Sequence, residues 1–276
     1  MKNCKIKKIF FVLLYLLPYL FLFASHTSLL SFYKNFLIKK KQPLVRPFIT
    51  DDSRVVGDKL FQIESWVRHD KEGFQHWALA AYGPNSMLEL TFGGVHGYAV
   101  HGSHTEESRK VFSYGFPLIQ AKMLFKEYYP GDYPGVGMVF GTFLPFGYGA
   151  FRPPGYGSFG YLTISQSFGT GDKVLIHGNI GGNYVHNDGT EQFINTWGLG
   201  SQIRVYKGMH AVMEIFSGDP YIPGTGTAYQ LGFRYFFNDD FQIDGTFGEG
   251  LAGKIKMPFW FSAGIRLVFK TKPLKD

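Results

Sequence analysis

The chain has 276 residues, of which 18% are aromatic and 35 are Gly, yet its mean hydropathy is only -0.06. A chain so rich in rings but not hydrophobic on average interleaves apolar and polar residues, which excludes a bundle of helices built from apolar runs of about 20. Of its 28 Lys and Arg, nine fall in the first 50 residues beside no Asp or Glu, so the formal charge of +7 hides a slightly acidic remainder; that excludes a basic nucleic-acid surface on the folded part.

In chain order, residues 2–8 carry Lys2, Lys5, Lys7 and Lys8, and residues 9–24 form an apolar run broken once by Pro18. That pattern predicts a signal peptide over residues 1–25, with an uncleaved anchor as the alternative. The one cysteine, Cys4, lies in the positive stretch, so a processed chain would hold neither a disulfide nor a Cys-ligated metal. Residues 26–56, centred on Lys39, Lys40 and Lys41, read as a periplasmic linker and lead segment.

From Lys59 onward the period is two. Phe61, Ile63, Ser65 and Val67 oppose Gln62, Glu64, Trp66 and Arg68, and Leu88, Leu90 and Phe92 oppose Glu89 and Thr91. Ile119, Ala121 and Met123 oppose Gln120 and Lys122; Trp197, Leu199, Ile203 and Val205 oppose Thr196, Gln202 and Arg204. Tyr229, Leu231, Phe233 and Tyr235 then oppose Gln230 and Arg234, and Phe241, Ile243 and Phe247 oppose Gln242, Asp244 and Thr246. Phe261, Ala263, Ile265, Leu267 and Phe269 finally oppose Ser262 and Arg266. Strands with one apolar face require this alternation.

A soluble β-sandwich would show it too, so the connections decide. Tight turns at Gly83-Pro84-Asn85, Gly169-Thr170-Gly171-Asp172, Lys207-Gly208 and Asn238-Asp239 alternate with longer links, with departures at residues 127–134 and near Asp70. Short periplasmic turns and long external loops alternate in this way in outer-membrane barrels. The expected fold is therefore an all-β, transmembrane antiparallel up-and-down β-barrel. It has about 12 strands over residues 57–269, both termini in the periplasm and a polar tail at 270–276. Its partners would be the lipid bilayer of the bacterial outer membrane and, through the aromatic-ended last strand at Phe269, the outer-membrane assembly machinery.

With apolar parity facing lipid, the lumen-facing charges are Glu64, Glu89, Lys122, Arg204, Glu214, Arg234, Asp244 and Arg266. Four acids and four bases in one interior fit two readings: a ladder of ion pairs across a filled barrel, or a polar channel whose charges select solutes. A small barrel fills its own interior, and about twelve strands leaves both open. Phe216 and Phe236 share the lumen parity and are the candidates for an aromatic lining. The remaining Tyr and Trp suit girdles at the membrane interfaces.

Pro47-Phe48-Ile49-Thr50-Asp51-Asp52, Gly57-Asp58-Lys59 leading into Gln62-Ile63-Glu64, Leu88-Glu89-Leu90 after Tyr82-Gly83, residues 242–248, and residues 261–266 form a set of motifs. Together they resemble the MetA-pathway-of-phenol-degradation family of outer-membrane β-barrel proteins. The resemblance implies an outer-membrane barrel that moves small, aromatic or otherwise hydrophobic solutes, and it marks Pro47, Thr50, Asp51 and Asp52 as a motif at the periplasmic mouth. The basic linker and shortened external loops depart from that pattern.

Other chemistry is sparse. Asp51 and Asp52 offer hard oxygen ligands for Ca²⁺ but read better as a turn, a cap or a mouth plug. His96, His101 and His104 surround a long loop, and without a nearby carboxylate or Cys at fixed spacing they read as loop decoration, so no metal is expected. No Ser stands in a G-x-S-x-G setting, and neither an enzyme nor a cofactor is expected. The leading function is passage of a small solute across the outer membrane. The alternative is a structural or adhesion-type barrel with a side-chain-blocked lumen, and a membrane-embedded hydrolase ranks below both.

Overall fold

The structure, a computed structural model, describes residues 49–100, 110–129, 133–153, 155–169, 173–187, 190–218, 225–253 and 256–270. The expected signal peptide (residues 1–25), most of the expected linker with Pro47, residues 271–276 of the expected tail, His101 and His104 lie outside the described residues.

Twelve long strands form among them. They are β1 (Leu60–Asp70), β2 (Gly73–Asn85), β3 (Leu88–Val100), β4 (Lys110–Lys126), β5 (Gly135–Phe143), β6 (Gly157–Phe168), β7 (Val174–Asn187), β8 (Thr190–Tyr206), β9 (Met209–Ser217), β10 (Thr227–Phe236), β11 (Phe241–Ala252) and β12 (Trp260–Lys270). The β5–β6 link adds a two-residue bridge, Gly147–Tyr148, and a 3-10 turn, Gly149–Phe151. Each strand pairs antiparallel with its neighbour in sequence, and β1 pairs with β12 from Leu60↔Lys270 to Asp70↔Trp260. That last ladder closes the barrel, so no strand is left with an unpaired edge, as a bilayer demands.

The pleat does the sorting. On β11, Gln242, Asp244 and Thr246 are buried while Ile243 and Phe247 are exposed. The same parity runs around the wall and leaves a belt of exposed rings and aliphatics. Phe74, Tyr98, Phe112 and Phe261 stand near one end, and Phe125, Phe168, Tyr235 and Phe269 near the other. A surface this apolar is a liability in water and is matched by hydrocarbon with aromatic girdles.

Turn lengths follow the expected parity. At one end only residues 86–87, 169–173, 207–208 and 237–240 separate consecutive strands, and that end also holds the start of β1 and the end of β12. The longer links 144–156, 218–226 and 253–259 lie at the other. Residues 127–134 and 71–72 are the anticipated departures. The β7–β8 link is a third, because β7 and β8 run on until only residues 188–189 separate them. One break in the wall lies between β3 and β4, where Gly93 pairs with Leu118 and Val95 with Gly115. Phe116 and Pro117 of β4 there oppose the single Gly94 of β3, and Pro117 has no N–H to give the ladder.

Inside, three apolar clusters divide the height. Leu79, Leu118, Val139, Phe159 and Tyr161 pack with Trp66 and Phe143 on the β1–β6 side. Phe216, Ala228, Met257 and Trp260 fill the long-loop end with Ile49 against them, and Tyr128, Leu175 and Phe236 sit together near the tight-turn end. Phe216 and Phe236 thus belong to separate clusters at opposite ends of the barrel.

Candidate functional site in the barrel lumen

The interior is organised around a strand-less piece of chain. Residues 49–56 run down the lumen from Ile49, beside Phe216 and Trp260 at the long-loop end, to Val56, beside Glu89 at the tight-turn end. The lead segment therefore crosses most of the barrel's height before it turns into β1.

An extended segment has no ladder of its own, so the walls must satisfy its backbone. Glu214 on β9 accepts the N–H of Ile49 (3.3 Å) and of Thr50 (2.9 Å), and also the Gln230 amide (2.6 Å). Asn179 on β7 accepts the Asp51 N–H through Oδ1 and donates Nδ2–H to the Asp51 carbonyl, which also accepts the Thr163 hydroxyl at 2.7 Å. Ser165 Oγ accepts the Ser53 N–H at 2.8 Å, and Glu89 Oε2 accepts the Val56 N–H at 2.7 Å. The wall also makes room by leaving side chains out. A Cβ on Gly198 would stand 2.4 Å from Thr50 Oγ1, and one on Gly135 would stand 2.6 Å from Ser53 Oγ.

Asp51 and Asp52 take different roles. Lys122 Nζ on β4 pairs with Asp51 Oδ1 at 2.8 Å, and Tyr161 donates its hydroxyl to Oδ2 at 3.4 Å. Burial pushes the Asp51 carboxyl up to about 6, against the pull of Lys122. Asp52 closes a local turn: Oδ1 accepts the Arg54 N–H at 2.7 Å, and Oδ2 pairs with the Arg54 guanidinium at 3.1 Å. Burial opposes the Asp52 charge too, but Arg54 and Lys122 outweigh it and hold the carboxyl at about 2. Thr50, Asp51 and Asp52 were expected at a mouth; they lie inside the lumen, each at most 2% exposed. The reason is chemical, since the Glu214 carboxylate, the Asn179 amide and the Lys122 ammonium are set to receive Thr50 and Asp51.

The eight lumen charges read from the sequence fall on the inner parity. Glu64, Glu89, Lys122, Glu214, Arg234, Asp244 and Arg266 are buried, and Arg204 is half-buried near the tight-turn rim. Opposite charges face each other across adjacent strands at Glu64↔Arg266, Glu89↔Lys122 and Arg234↔Asp244. The side chains, however, reach past that ladder. Lys122, Glu89 and Glu214 engage the lead segment, Arg234 donates to Gln202 at 2.7 Å, and Arg266 donates to Gln62 at 3.3 Å and to the Asp239 carbonyl at 3.1 Å. Asn179, Thr163, Ser165, Tyr161 and Arg54 complete the cradle and were not anticipated. The signal was present in the alternation of Tyr161, Thr163, Ser165 and Ser167 with Leu162 and Ile164. Among the described residues, no group of three or more His, Cys, Asp or Glu stands together to hold a metal ion.

The lumen is thus filled at mid-height by its own chain. A recess of only about 20 Å³, room for a water or two, remains beside it, lined by Ile49, Tyr161, Asn179, Thr196 and Gly198, among others.

No protein-family model and no curated protein sequence matches the chain. Solved structures do. The COG4313 outer membrane channel from Pseudomonas putida F1 superposes with a TM-score of 0.57 at 11% identity, over 82% of this chain and 100% of that one. The KdgM porin, solved in complex with disordered oligogalacturonate, superposes with a TM-score of 0.51 at 10% identity, over 75% of this chain and 99% of that one. At such identities the likeness is one of fold. With its closed ladder and apolar belt, the chain has the fold of the bacterial outer-membrane β-barrels.

Proposed function

We propose that the protein is an outer-membrane channel for a small solute, closed at rest by its own lead segment and opened when that segment moves. The observation that carries this reading is the burial of residues 49–56 along the lumen on wall groups that each hold one piece of their backbone. A plug bound through polar contacts to a rigid wall is a two-state element, and a solute that competes for those contacts would shift it. In this reading the tight turns and both termini face the periplasm, and residues 1–25 direct export. The motifs shared with the MetA-pathway family favour a solute that is small and aromatic or otherwise hydrophobic.

With the lead displaced, the lumen would expose Glu64, Glu89, Glu214 and Asp244 against Lys122, Arg204, Arg234 and Arg266. Four charges of each sign predict weak ion selectivity. The second reading, a structural barrel with a permanently filled lumen, draws on the same burial. Single-channel recording on the refolded protein separates the two. The channel predicts rare openings in the wild type and frequent ones in a Lys122→Met/Glu214→Gln variant. If both are silent although insertion is verified independently, the structural barrel stands.

A further inference from the structure

The outer wall carries a polar cluster that the lumen does not explain. His76 on β2 and His96 on β3 are cross-strand partners whose side chains both point outward. His76 Nδ1 lies 3.2 Å from His96 Nε2, and the two rings meet edge to face with centroids 4.7 Å apart. Ser65 Oγ on β1 lies 2.7 Å from the other nitrogen of His76, Nε2. Rings surround the pair on the side toward the long-loop end: His96 is 6.5 Å from Phe112, which stands 5.6 Å from Tyr98 and 6.4 Å from Tyr114. Such rings mark the membrane interface, where water and headgroups still reach a polar side chain.

We infer that His76 and His96 form a binding site for a borderline divalent transition-metal ion, of the Zn²⁺, Cu²⁺ or Ni²⁺ type, on the outer wall near the long-loop rim. Two imidazole nitrogens bound at about 2.0–2.1 Å to one tetrahedral ion stand about 3.3 Å apart. The observed 3.2 Å matches that bite. Ser65 supplies the outer support that a ligating imidazole needs. With Nε2–H donated to Ser65, His76 presents its Nδ1 lone pair, to which His96 Nε2–H now donates. An ion that replaces this shared hydrogen shifts His96 to the tautomer protonated at Nδ1, with no net release of a proton. No third His, Cys, Asp or Glu joins the pair among the described residues. The open positions therefore go to water or to headgroup oxygens, and imidazole nitrogen selects these ions over Ca²⁺ or Mg²⁺. The site would staple β2 to β3 above the break at Gly94 and Pro117.

Full-length protein refolded in detergent micelles is titrated with Zn²⁺ and Cu²⁺ by calorimetry, with paramagnetic resonance on the Cu²⁺ form. One equivalent should bind, with the spectrum of two nitrogen ligands, and Zn²⁺ should raise the unfolding temperature. His76→Asn and His96→Asn should each weaken binding at least tenfold and abolish the temperature shift, while Ser65→Ala should weaken it several-fold. His101→Ala/His104→Ala should leave it unchanged. The barrel's heat-modifiable gel mobility confirms folding of every variant. The assignment is overturned if His76→Asn/His96→Asn binds as tightly as the wild type, if the loop variant alone loses the ion, or if the wild type binds none.

Discussion

Lys122 of β4 holds Asp51 of the lead segment at 2.8 Å, although its cross-strand partner by register is Glu89. Glu89 is in turn engaged by the Val56 N–H. Two wall charges that could have satisfied each other are instead shared with the lead, so its departure lets them approach one another. The wall is thereby equipped for a state without the lead as well as one with it.

Removing the ammonium leaves a buried carboxylate without its cation, a defect that costs about 3–5 kcal/mol in comparable sites. Lys122→Met should therefore release the lead segment without unfolding the barrel. Hydrogen exchange at residues 49–56 should rise by orders of magnitude while β1–β12 stay protected. Adding Asp51→Asn should restore much of that protection, because the orphaned charge is gone.

Glu214 anchors the other end. Hydrogen bonds to a charged acceptor contribute about 1.5–3 kcal/mol each in mutational series, and Glu214 accepts two from the lead backbone. Glu214→Gln should loosen Ile49 and Thr50 first and leave Ser53 and Val56 in place. Amide exchange resolved by residue would show a gradient of protection along the segment. Uniform loss would mean that the lead moves only as a unit.

Gly198 tests the fit by volume alone. A side chain there would meet Thr50, whose hydroxyl lies 2.4 Å from the Cβ position. Gly198→Val should push Thr50 off the wall and raise open probability, with barrel stability in detergent changed little. If conductance and exchange both match the wild type, the segment does not depend on that approach.

The two carboxylates give the closure opposite pH responses. Asp51 is raised from 3.8 to about 6 in the docked state, so its proton favours docking: that contribution is complete below pH 3.8 and is lost as pH rises through about 6. Asp52 is lowered from 3.8 to about 2, so its contribution is present above pH 3.8 and is lost as pH falls through about 2. Between pH 7 and 5 the Asp51 contribution grows while that of Asp52 stays in full, so acidification should reduce openings. Asp51→Asn should flatten the response in that window; an unchanged response would assign it to another group.

The wall was legible from the sequence because lipid on one side and a polar interior on the other impose a strict period of two. Gln62 and Glu64 against Phe61 and Ile63, or Gln242 and Asp244 against Ile243, can be read one residue at a time. β6 and β7 were harder to read, because their inner faces mix Phe159, Tyr161, Leu175 and His177 with Thr163, Ser165, Ser167, Asn179 and Asn183, residue types that also mark turns. The lead segment was legible only as a turn, a cap or a mouth plug, not as an element running through the lumen. It has no periodicity that would place it there. What makes Asp51 interior is Lys122, 71 residues away, and what holds Thr50 is Glu214, 164 residues away. Distances of that kind in sequence carry no local pattern. The same holds for Ser65, His76 and His96, which only the register brings together on one face.

The most direct test of the closed channel is to fasten the lead segment to the wall and watch the current. Ser53 and Ser165 are in contact, with 2.8 Å from the Ser53 nitrogen to Ser165 Oγ, so Ser53→Cys/Ser165→Cys on a Cys4→Ser background should form a reducible tether. Single-channel recording should show a silent barrel under oxidising conditions and openings once a reductant is added. Equal conductance before and after reduction, with the disulfide verified by mass spectrometry, would contradict the account.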